Sequence, residues 1–393
     1  MSGKVKINSI VKDSNVIVAT LVIGGKEEVV KISISEEYAN NLVCDRIDAL
    51  VWGLVLFCME KGYNIVSLLP ITDELYYNLI NHYIRPLAVA NKNLHEIDII
   101  APKIQPVKST QEIVATGISC GIDSLYTIQQ HTREVIPESM RVNTLVFFNA
   151  GSSFNGRAEL HHDLVDGRLD LAKRFADEYG FKFIFVETNL HLILNKYRPY
   201  RHVEYHTNMA LFCMYHIQSI LSVYYYSSAN PYNEFNMDVE RFDDAAYRDL
   251  LTLSMASISN FRFYSSGGGV GRYEKTKTLL DFEPTYKYLN VCVENINNCS
   301  TCFKCVRTML TLDALGVLEK FSTVFNLKEY NRNRFIYLKR LYVGAKYQND
   351  VFLQEIYPFL EKEFSILMKL KIHFSLLKGG VRFLFKKWTL IFK

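Results

Sequence analysis

The segment Glu112–Ser124 reads EIVATGISCGIDS, and it decides the fold class of this chain. Its first half is short, apolar and β-branched, which is typical of a buried strand. Small residues from Gly117 to Gly121 then indicate a tight turn, and a helical pattern begins at about Asp123. A buried strand that runs through a small-residue turn into a helix is how a βαβ unit begins.

The same alternation of strand and helix continues after this segment. Further strands are predicted at Arg141–Asn149, Phe181–Glu187 and Ser222–Ser227, with helices at Asp123–His131, Arg168–Tyr179 and Asn208–Leu221. Strands separated by helices imply a parallel sheet covered on both faces. We therefore predict an α/β fold for residues 106–316, with the ligand beyond the carboxyl ends of the strands.

The two flanking regions have different patterns. In residues 1–105, largely alternating β-branched segments surround a Gly24-Gly25 turn and precede two helical stretches, which predicts an accessory α+β domain for docking a substrate or partner. The predicted elements are strands at Val5–Val11, Asn15–Ile23 and Glu28–Ser35 and helices at Cys44–Lys61 and Asp73–Ala88. Residues 317–393 are predicted to form a helical, basic C-terminal region.

Composition narrows the class of protein. Hydrophobic residues make up 49% and charged residues 22% of the 393 residues, as in globular proteins, and a net charge of +4 does not require a nucleic-acid partner. The N-terminus lacks the apolar core of a secretory signal, and no stretch approaches the roughly 20 uninterrupted apolar residues of a membrane span. We expect a cytoplasmic protein with reduced cysteines.

The loop Thr116–Ser124, here called the phosphate loop, has the chemistry of an anion site. Small residues let several backbone N–H groups point at one anion, and the following helix N-terminus adds positive potential. Ser119 and Ser124 can donate hydroxyl hydrogen bonds, and the carboxylate of Asp123 suits Mg²⁺. The predicted ATP-binding residues all belong to this loop: Ser119, Cys120, Gly121, Ile122, Asp123 and Ser124.

Other interpretations of this loop are possible. The commoner nucleotide motifs do not fit, since no G-x-x-x-x-G-K-[ST] occurs and the glycine run Gly267–Gly271 neither matches G-x-G-x-x-G nor follows a convincing strand. The alternative without function is an ordinary helix cap made by a serine or an aspartate. Cys120 itself is either a nucleophile, activated at a helix N-terminus, or a tolerated small residue.

Four of the eight cysteines lie within fourteen residues, in the segment VCVENINNCSTCFKC. Cys292, Cys299, Cys302 and Cys305 form the spacing C-x6-C-x2-C-x2-C, here called the cysteine cluster. Short C-x2-C spacings let one turn present two thiolates to the same ion, which favours structural Zn²⁺ with a closed coordination shell. An iron–sulfur cluster is the alternative.

The phosphate loop and the cysteine cluster together resemble the layout of 7-cyano-7-deazaguanine synthase, in the PP-loop ATP pyrophosphatase superfamily. The family loop is Ser-Gly-Gly-x-Asp-Ser, with Cys120 in place of its first glycine. The resemblance covers about half of the chain, from Val107 to Gly316. It implies adenylation of a carboxylate by ATP with pyrophosphate release, followed by attack of ammonia or another amine.

The resemblance also implies roles for two basic residues and a class of substrate. Lys275, in Arg272–Thr276, matches the family's lysine-bearing segment and would neutralise phosphate charge, while Arg307 follows the last cysteine. The family's Ser-Gly-Tyr-Pro substrate signature is replaced by Tyr226–Tyr232, so the substrate is expected to be a deazaguanine-like carboxylate or a modified macromolecule. Relatives of this kind are associated with bacterial defence and modification systems.

Alternative functions stay open at this point, as do the partners. A PP-loop RNA-modifying enzyme and a non-catalytic nucleotide-binding subunit are the other candidate functions. We expect a homo-oligomer and a protein partner at the N-terminal region or the tail. The tail carries seven Lys/Arg and no acidic residue from Phe364 to Lys393, so peripheral membrane contact is a further option.

A few polar residues are weaker candidates. His161, His162 and Asp163, or His202 with His206, could suggest a second metal site, although such histidines are more often ordinary polar side chains. Asn149, at the end of a predicted strand, and His206 could line a pocket.

Overall fold

The computed structural model describes residues 3–153, 162–238 and 242–376. In chain order, the strands are β1 (Gly3–Asp13), β2 (Val16–Ile23), β3 (Lys26–Ile34), β4 (Tyr63–Ser67), β5 (Ile71–Thr72), β6 (Ile99–Ile100), β7 (Lys103–Ile104), β8 (Ile113–Gly117), β9 (Thr144–Asn149), β10 (Lys182–Thr188), β11 (Leu221–Ser227) and β12 (Arg262–Ser266). The α-helices are α1 (Asp48–Lys61), α2 (Asp73–Asn78), α3 (Arg85–Ala90), α4 (Ile122–Thr132), α5 (His162–Tyr179), α6 (Leu190–Asn195), α7 (His202–Tyr215), α8 (Asp249–Ala256), α9 (Arg272–Thr278), α10 (Pro284–Tyr288), α11 (Phe303–Ala314), α12 (Leu327–Tyr347) and α13 (Val351–Leu360). A π-helical turn, Leu79–Ile84, connects α2 to α3, and residues 366–376 are helical.

The chain forms two compact units. The first comprises the residues up to Gly271 together with Thr278–Asn290. The second comprises Arg272–Lys277 and the residues from Val291 onward. The phosphate loop belongs to the first unit and the cysteine cluster to the second.

The first unit is built on a ten-stranded sheet with the order β12-β11-β8-β9-β10-β3-β2-β1-β4-β6. The five strands from β12 to β10 in this order are mutually parallel. The apolar segment that opens β8 is buried throughout, as a central parallel strand requires. Chain order reverses between β8 and β11, and parallel sheets bind ligands in the crevice beyond the carboxyl ends of the strands at such a reversal.

The N-terminal strands continue the same sheet. Val186 of β10 pairs with Ile34 of β3 in antiparallel register, and β3, β2 and β1 follow as an antiparallel meander. Gly24 and Gly25 both have positive φ, +57° and +82°, as the predicted hairpin turn requires. The predicted boundary at residues 105 and 106 does not interrupt the sheet. The division into domains 1–105, 106–316 and 317–393 stays a prediction.

Apolar helices cover the sheet. Helix α1 is buried along nearly its whole length and packs against α7. At its centre the Trp52 ring lies 5.3 Å from the ring of Tyr83 and 6.3 Å from that of Tyr215. The abundant aromatic residues therefore act here as core packing. The predicted α/β class is confirmed at this level: a large, mostly parallel sheet flanked by helices.

One strand contradicts the sequence analysis. We expected no convincing strand before the glycine run Gly267–Gly271, but β12 ends at Ser266 and pairs in parallel with β11. Its sequence, RFYSS, lacks aliphatic residues. Arg262 and Tyr264 are exposed, since β12 lies at the edge of the sheet. The pairing with β11 gives this segment a strand conformation that its composition does not predict.

The second unit is helical. Tyr330 on α12 donates a hydrogen bond of 2.7 Å to Asp313 on α11, and Arg334 on α12 reaches the same carboxylate oxygen at 3.1 Å. Because both partners of Asp313 lie one turn apart on α12, this contact fixes the rotation of α12 against α11. Among the described residues, no helix has both the length and the hydrophobicity needed to cross a bilayer.

Candidate functional site

The phosphate loop joins the end of β8 to the start of α4 in the first unit. Ile118 donates its backbone N–H to the Val146 carbonyl of β9 at 2.9 Å, which extends the sheet contact by one residue. The chain then turns, and Gly121 becomes the N-cap of α4. Because this turn follows β8 at the reversal of strand order, the N-terminus of α4 faces the crevice between β8 and β11.

The backbone conformation of Cys120 makes the bend tight. Its φ is +57°, the left-handed conformation that glycine adopts most easily and that costs other residues about 1 kcal/mol. The Cys120 carbonyl accepts a 2.8 Å hydrogen bond from the Asn290 backbone N–H, which holds the bend in place. The PP-loop family has a glycine at this position. Cys120 adopts the backbone conformation of a glycine, although its side chain is that of a cysteine.

The Cys120 thiol does not have the properties of a nucleophile. Its side chain is buried, and burial raises the pKa of the thiol to about 12. At neutral pH the group is a neutral thiol, whereas an attacking cysteine must be a thiolate. This result favours the interpretation of Cys120 as a tolerated small residue.

Two serine hydroxyls face each other across the loop. Ser119 Oγ lies 3.2 Å from Ser124 Oγ, and Ser124 also donates to the Gly121 carbonyl at 3.1 Å. The Gly121 N–H lies 3.4 Å from Ser119 Oγ, which is a long hydrogen bond. Ser119 is exposed, and Gly121 and Asp123 are half-exposed. The bend is therefore open to solvent at these three residues, whereas Ser124 is buried.

The end of β11 forms the opposite wall of the crevice. Thr116 Oγ1 donates to the Tyr225 carbonyl at 2.8 Å and thereby joins β8 to β11 at the first residue of the phosphate loop. A Cβ placed on Gly117 would lie 3.0 Å from the Tyr224 hydroxyl, so the absence of a side chain lets this tyrosine pack against the strand. These contacts fix the spacing of the two strand ends on which the crevice depends.

A chain of three polar side chains lies at the end of β11. His206 on α7 contacts the Tyr226 hydroxyl through Nδ1 and Asp244 Oδ1 through Nε2, the latter at 3.1 Å. The rings of His206 and Tyr226 are stacked, with centroids 5.9 Å apart. Burial raises the pKa of Asp244, but the hydrogen bond from His206 outweighs this and lowers it overall. Tyr226, His206 and Asp244 thus form a hydrogen-bonded relay with an ionised carboxylate at one end.

Only part of this relay is predicted from sequence. His206 is a candidate pocket residue and Tyr226 begins the segment that replaces the substrate signature, whereas Asp244 lies 38 residues after His206 in a segment without a motif. No spacing signal links the three residues, because their proximity depends on the packing of α7 beside β11.

The four cysteines of the cysteine cluster converge in the second unit. Their Sγ atoms all lie within 4.8 Å of one another, with Cys292 to Cys302 and Cys299 to Cys305 each at 4.0 Å. A tetrahedral ion bound at about 2.3 Å from each sulfur requires sulfur–sulfur distances of about 3.8 Å. The donor set therefore fits one metal ion, and the four cysteines could bind an ion such as zinc.

Backbone N–H groups point at the sulfurs. Cys299 Sγ accepts from the Cys302 N–H at 3.2 Å and from the Thr301 N–H at 3.4 Å, and Cys302 Sγ accepts from the Cys305 N–H at 3.5 Å. Although burial raises the pKa of Cys299, hydrogen bonds from the Thr301 hydroxyl and from the Thr301 and Cys302 N–H groups lower it to about 6 overall. The turn at Ser300, with φ +62°, brings the N–H groups into position. Such contacts orient the ligands and stabilise thiolates.

The remaining candidate residues are distributed over both units. Lys275 is buried on α9 in the second unit, and the Arg307 guanidinium lies 4.2 Å above the Phe352 ring in the same unit. Asn149 donates to Glu187 at 2.5 Å across β9 and β10. The role of Lys275 at a phosphate stays a prediction.

The histidine-based metal site gains no support in the described residues. His202 Nδ1 lies 3.0 Å from the Tyr200 hydroxyl, and His161 lies outside the described residues. Across residues 3–153, 162–238 and 242–376, only the cysteine cluster gathers three or more potential metal ligands.

Comparison with known proteins identifies no relative of this chain. No protein-family model, no curated protein and no solved structure matches this chain.

Proposed function

We propose that the chain is an ATP-dependent adenylating ligase similar to 7-cyano-7-deazaguanine synthase. One observation carries the proposal: an open, serine-lined bend with left-handed Cys120 opens helix α4 at the point where the strand order of a parallel sheet reverses. Backbone N–H groups and a helix N-terminus at that point suit the phosphates of a nucleotide. An ordinary helix cap would require neither the left-handed residue nor the position at the reversal.

The chemistry assigned to each residue follows from its position. The N–H groups from Ser119 to Ser124 and the two hydroxyls would bind the pyrophosphate part of ATP, and Asp123 would hold Mg²⁺. A substrate carboxylate would attack the α-phosphorus, pyrophosphate would leave, and ammonia or another amine would then displace AMP. Most of the rate enhancement would come from positioning and from neutralisation of phosphate charge.

The relay at the end of β11 supports a pocket for the second substrate on the same side of the sheet. Tyr226 and His206 offer a hydrogen-bonding edge and a stacked aromatic pair, which suit a planar heterocycle. In the cysteine cluster, the proposed ion is Zn²⁺ rather than an iron–sulfur cluster. Sulfurs within 4.8 Å of one another fit a single ion, whereas an iron–sulfur cluster distributes its four cysteines over two or four irons.

The test measures pyrophosphate release by the full chain with ATP, Mg²⁺, ammonium and 7-carboxy-7-deazaguanine, with products identified by mass spectrometry. We expect Asp123→Asn to lower the rate about 100-fold, because it removes a charged magnesium ligand while keeping the shape of the side chain. Asp177→Asn, at an exposed position of α5, is the matched control and should leave the rate unchanged.

The contrary outcomes would either refute the assignment or favour one of the other candidate functions. Unchanged pyrophosphate release in Asp123→Asn would refute the assignment of the phosphate loop. ATP binding by the wild-type chain without turnover of any carboxylate would identify a non-catalytic nucleotide-binding subunit. Turnover that requires added RNA would identify an RNA-modifying enzyme.

A further inference from the structure

The helical segment 366–376 in the second unit packs on α12 through one of its faces. Ile372 is completely buried, and His373 Nε2 lies 2.8 Å from the Tyr347 hydroxyl of α12. Lys339 of α12 donates to Ser375 Oγ at 2.6 Å. These contacts attach the segment to α12 and fix which of its faces points outward.

The outward face is an apolar stripe. Ile366, Leu367, Leu370 and Phe374 have exposed fractions between 60% and 81%. At 100° per residue, these four positions fall within roughly 100° of the helix circumference, with the buried Ile372 on the opposite side. A sector of this width is the apolar face of an amphipathic helix, yet here it points away from the side that packs on α12.

The charged residues of the segment itself have one sign. Lys371 is exposed at one edge of the stripe and Lys369 is half-exposed at the other. From Phe364 to Lys393 the sequence has seven Lys/Arg and no acidic residue. Residues 377–393 lie outside the described part of the chain, and their composition adds aromatic residues: Phe383, Phe385, Trp388 and Phe392. Basic residues beside large apolar ones are the composition of segments that lie in a membrane interface.

We propose that this C-terminal face, formed by Ile366, Leu367, Leu370 and Phe374 with Lys369 and Lys371, binds the surface of an anionic lipid bilayer. The apolar stripe enters the boundary between headgroups and acyl chains, and the lysines contact the anionic headgroups. The apolar stripe favours lipid over nucleic acid, because phosphate backbones are bound by polar and charged groups. No stretch of the sequence reaches the roughly 20 apolar residues of a span, so the segment lies on the bilayer rather than across it.

The test is co-sedimentation of the full chain with vesicles of phosphatidylcholine alone or with about 30 mol% phosphatidylglycerol. We expect binding to the anionic vesicles only, weakened when salt is raised, because the charge attraction is screened. The double substitution Leu367→Ser with Leu370→Ser should lower the partition coefficient about tenfold, since two apolar side chains no longer enter the interface. Leu68→Ser, at an even more exposed leucine of the first unit, is the control and should bind like wild type.

Thermal melts show whether a loss of binding comes from unfolding. Both leucines are exposed, so their replacement should not change the melting temperature. Three outcomes would overturn the proposal: equal binding to neutral vesicles, unchanged binding of the double variant, or no sedimentation with either vesicle. Binding to a labelled RNA without vesicle binding would assign the face to nucleic acid. Loss of self-association in the double variant without vesicle binding would assign it to a second copy of the chain.

Discussion

The phosphate loop and the cysteine cluster are both short turns next to a helix, but they depend on different parts of their residues. The phosphate loop depends on backbone conformation, and its left-handed position tolerates cysteine in place of glycine. The cysteine cluster depends on side-chain identity, because only thiolates supply four sulfur ligands within 4.8 Å of one another. In the phosphate loop Ser119 is exposed and Gly121 and Asp123 are half-exposed, whereas three of the four residues in the cysteine cluster are buried.

This difference predicts where each region is sensitive. A site made of backbone N–H groups tolerates side-chain changes that keep φ and loses function when φ is disturbed. A site made of ligands loses its ion with any single ligand. The following predictions run from the largest expected effect to the smallest.

Replacement of one metal ligand should have the largest effect. Cys305 is fully buried, and Cys305→Ser should lower the metal content from about one ion per chain to nearly none, because a closed site needs all four thiolates. Structural zinc contributes directly to folding, so the second unit should become sensitive to proteolysis after residue 291. Metal analysis and limited proteolysis measure both effects.

The control for this substitution is Cys44→Ser, at a half-buried cysteine outside the cluster, which should keep its metal. A Cys305→Ser protein that retains a full equivalent of metal would contradict the claim that the cysteine cluster needs all four ligands. Visible absorption together with iron in the wild-type protein would identify the bound group as an iron–sulfur cluster instead of zinc.

Acid should destabilise the first unit in a defined pH window. Burial lowers the pKa of His216 to about 4, against about 6.5 in an unfolded chain. The unfolded state therefore binds more protons between these values, so stability is complete above pH 6.5 and falls as the pH drops towards 4. For His216 alone the loss is about 3 kcal/mol, and His131 and His191, with pKa values likewise lowered to about 4 by burial, add to it.

Urea unfolding at pH 7 and pH 5 measures about 2 kcal/mol of this loss for His216, with the fluorescence of buried Trp52 as the signal in a Trp388→Phe background. His216→Leu should reduce the difference between the two pH values, whereas His82→Gln, at an exposed histidine, should not. A stability of the first unit that is equal at both pH values would contradict the prediction.

Changes at Cys120 should have the smallest effect and test the backbone argument most directly. Cys120→Gly relieves the left-handed strain but loses a buried thiol, so the free energy of unfolding should change by less than about 1 kcal/mol, with ATP affinity unchanged. Cys120→Val places a β-branched side chain at φ +57° and should cost about 2 kcal/mol and weaken ATP binding. Urea unfolding and titration with ATP give both values. Equal behaviour of the two variants would show that φ at this position does not matter.

The cysteine cluster could be predicted from sequence almost completely. The spacing of Cys299, Cys302 and Cys305 corresponds to one turn and the start of a helix, and local backbone geometry brings their sulfurs together. The relay was different: His206, Tyr226 and Asp244 come from a helix, a strand end and an irregular segment, so their contact depends on packing alone.

The sequence by itself determined the local elements of this protein: the buried strand and bend before α4, the hairpin at Gly24-Gly25 and the ligand set of the cysteine cluster. Each of these follows from periodicity, backbone permissiveness or ligand spacing within a few residues. Only the tertiary structure decided that β3 pairs with β10 to make one ten-stranded sheet, that β12 completes the parallel set, and that Asp244 reaches His206. Strand pairing and side-chain contact over such separations depend on which surfaces are buried together, and a linear pattern does not contain that information.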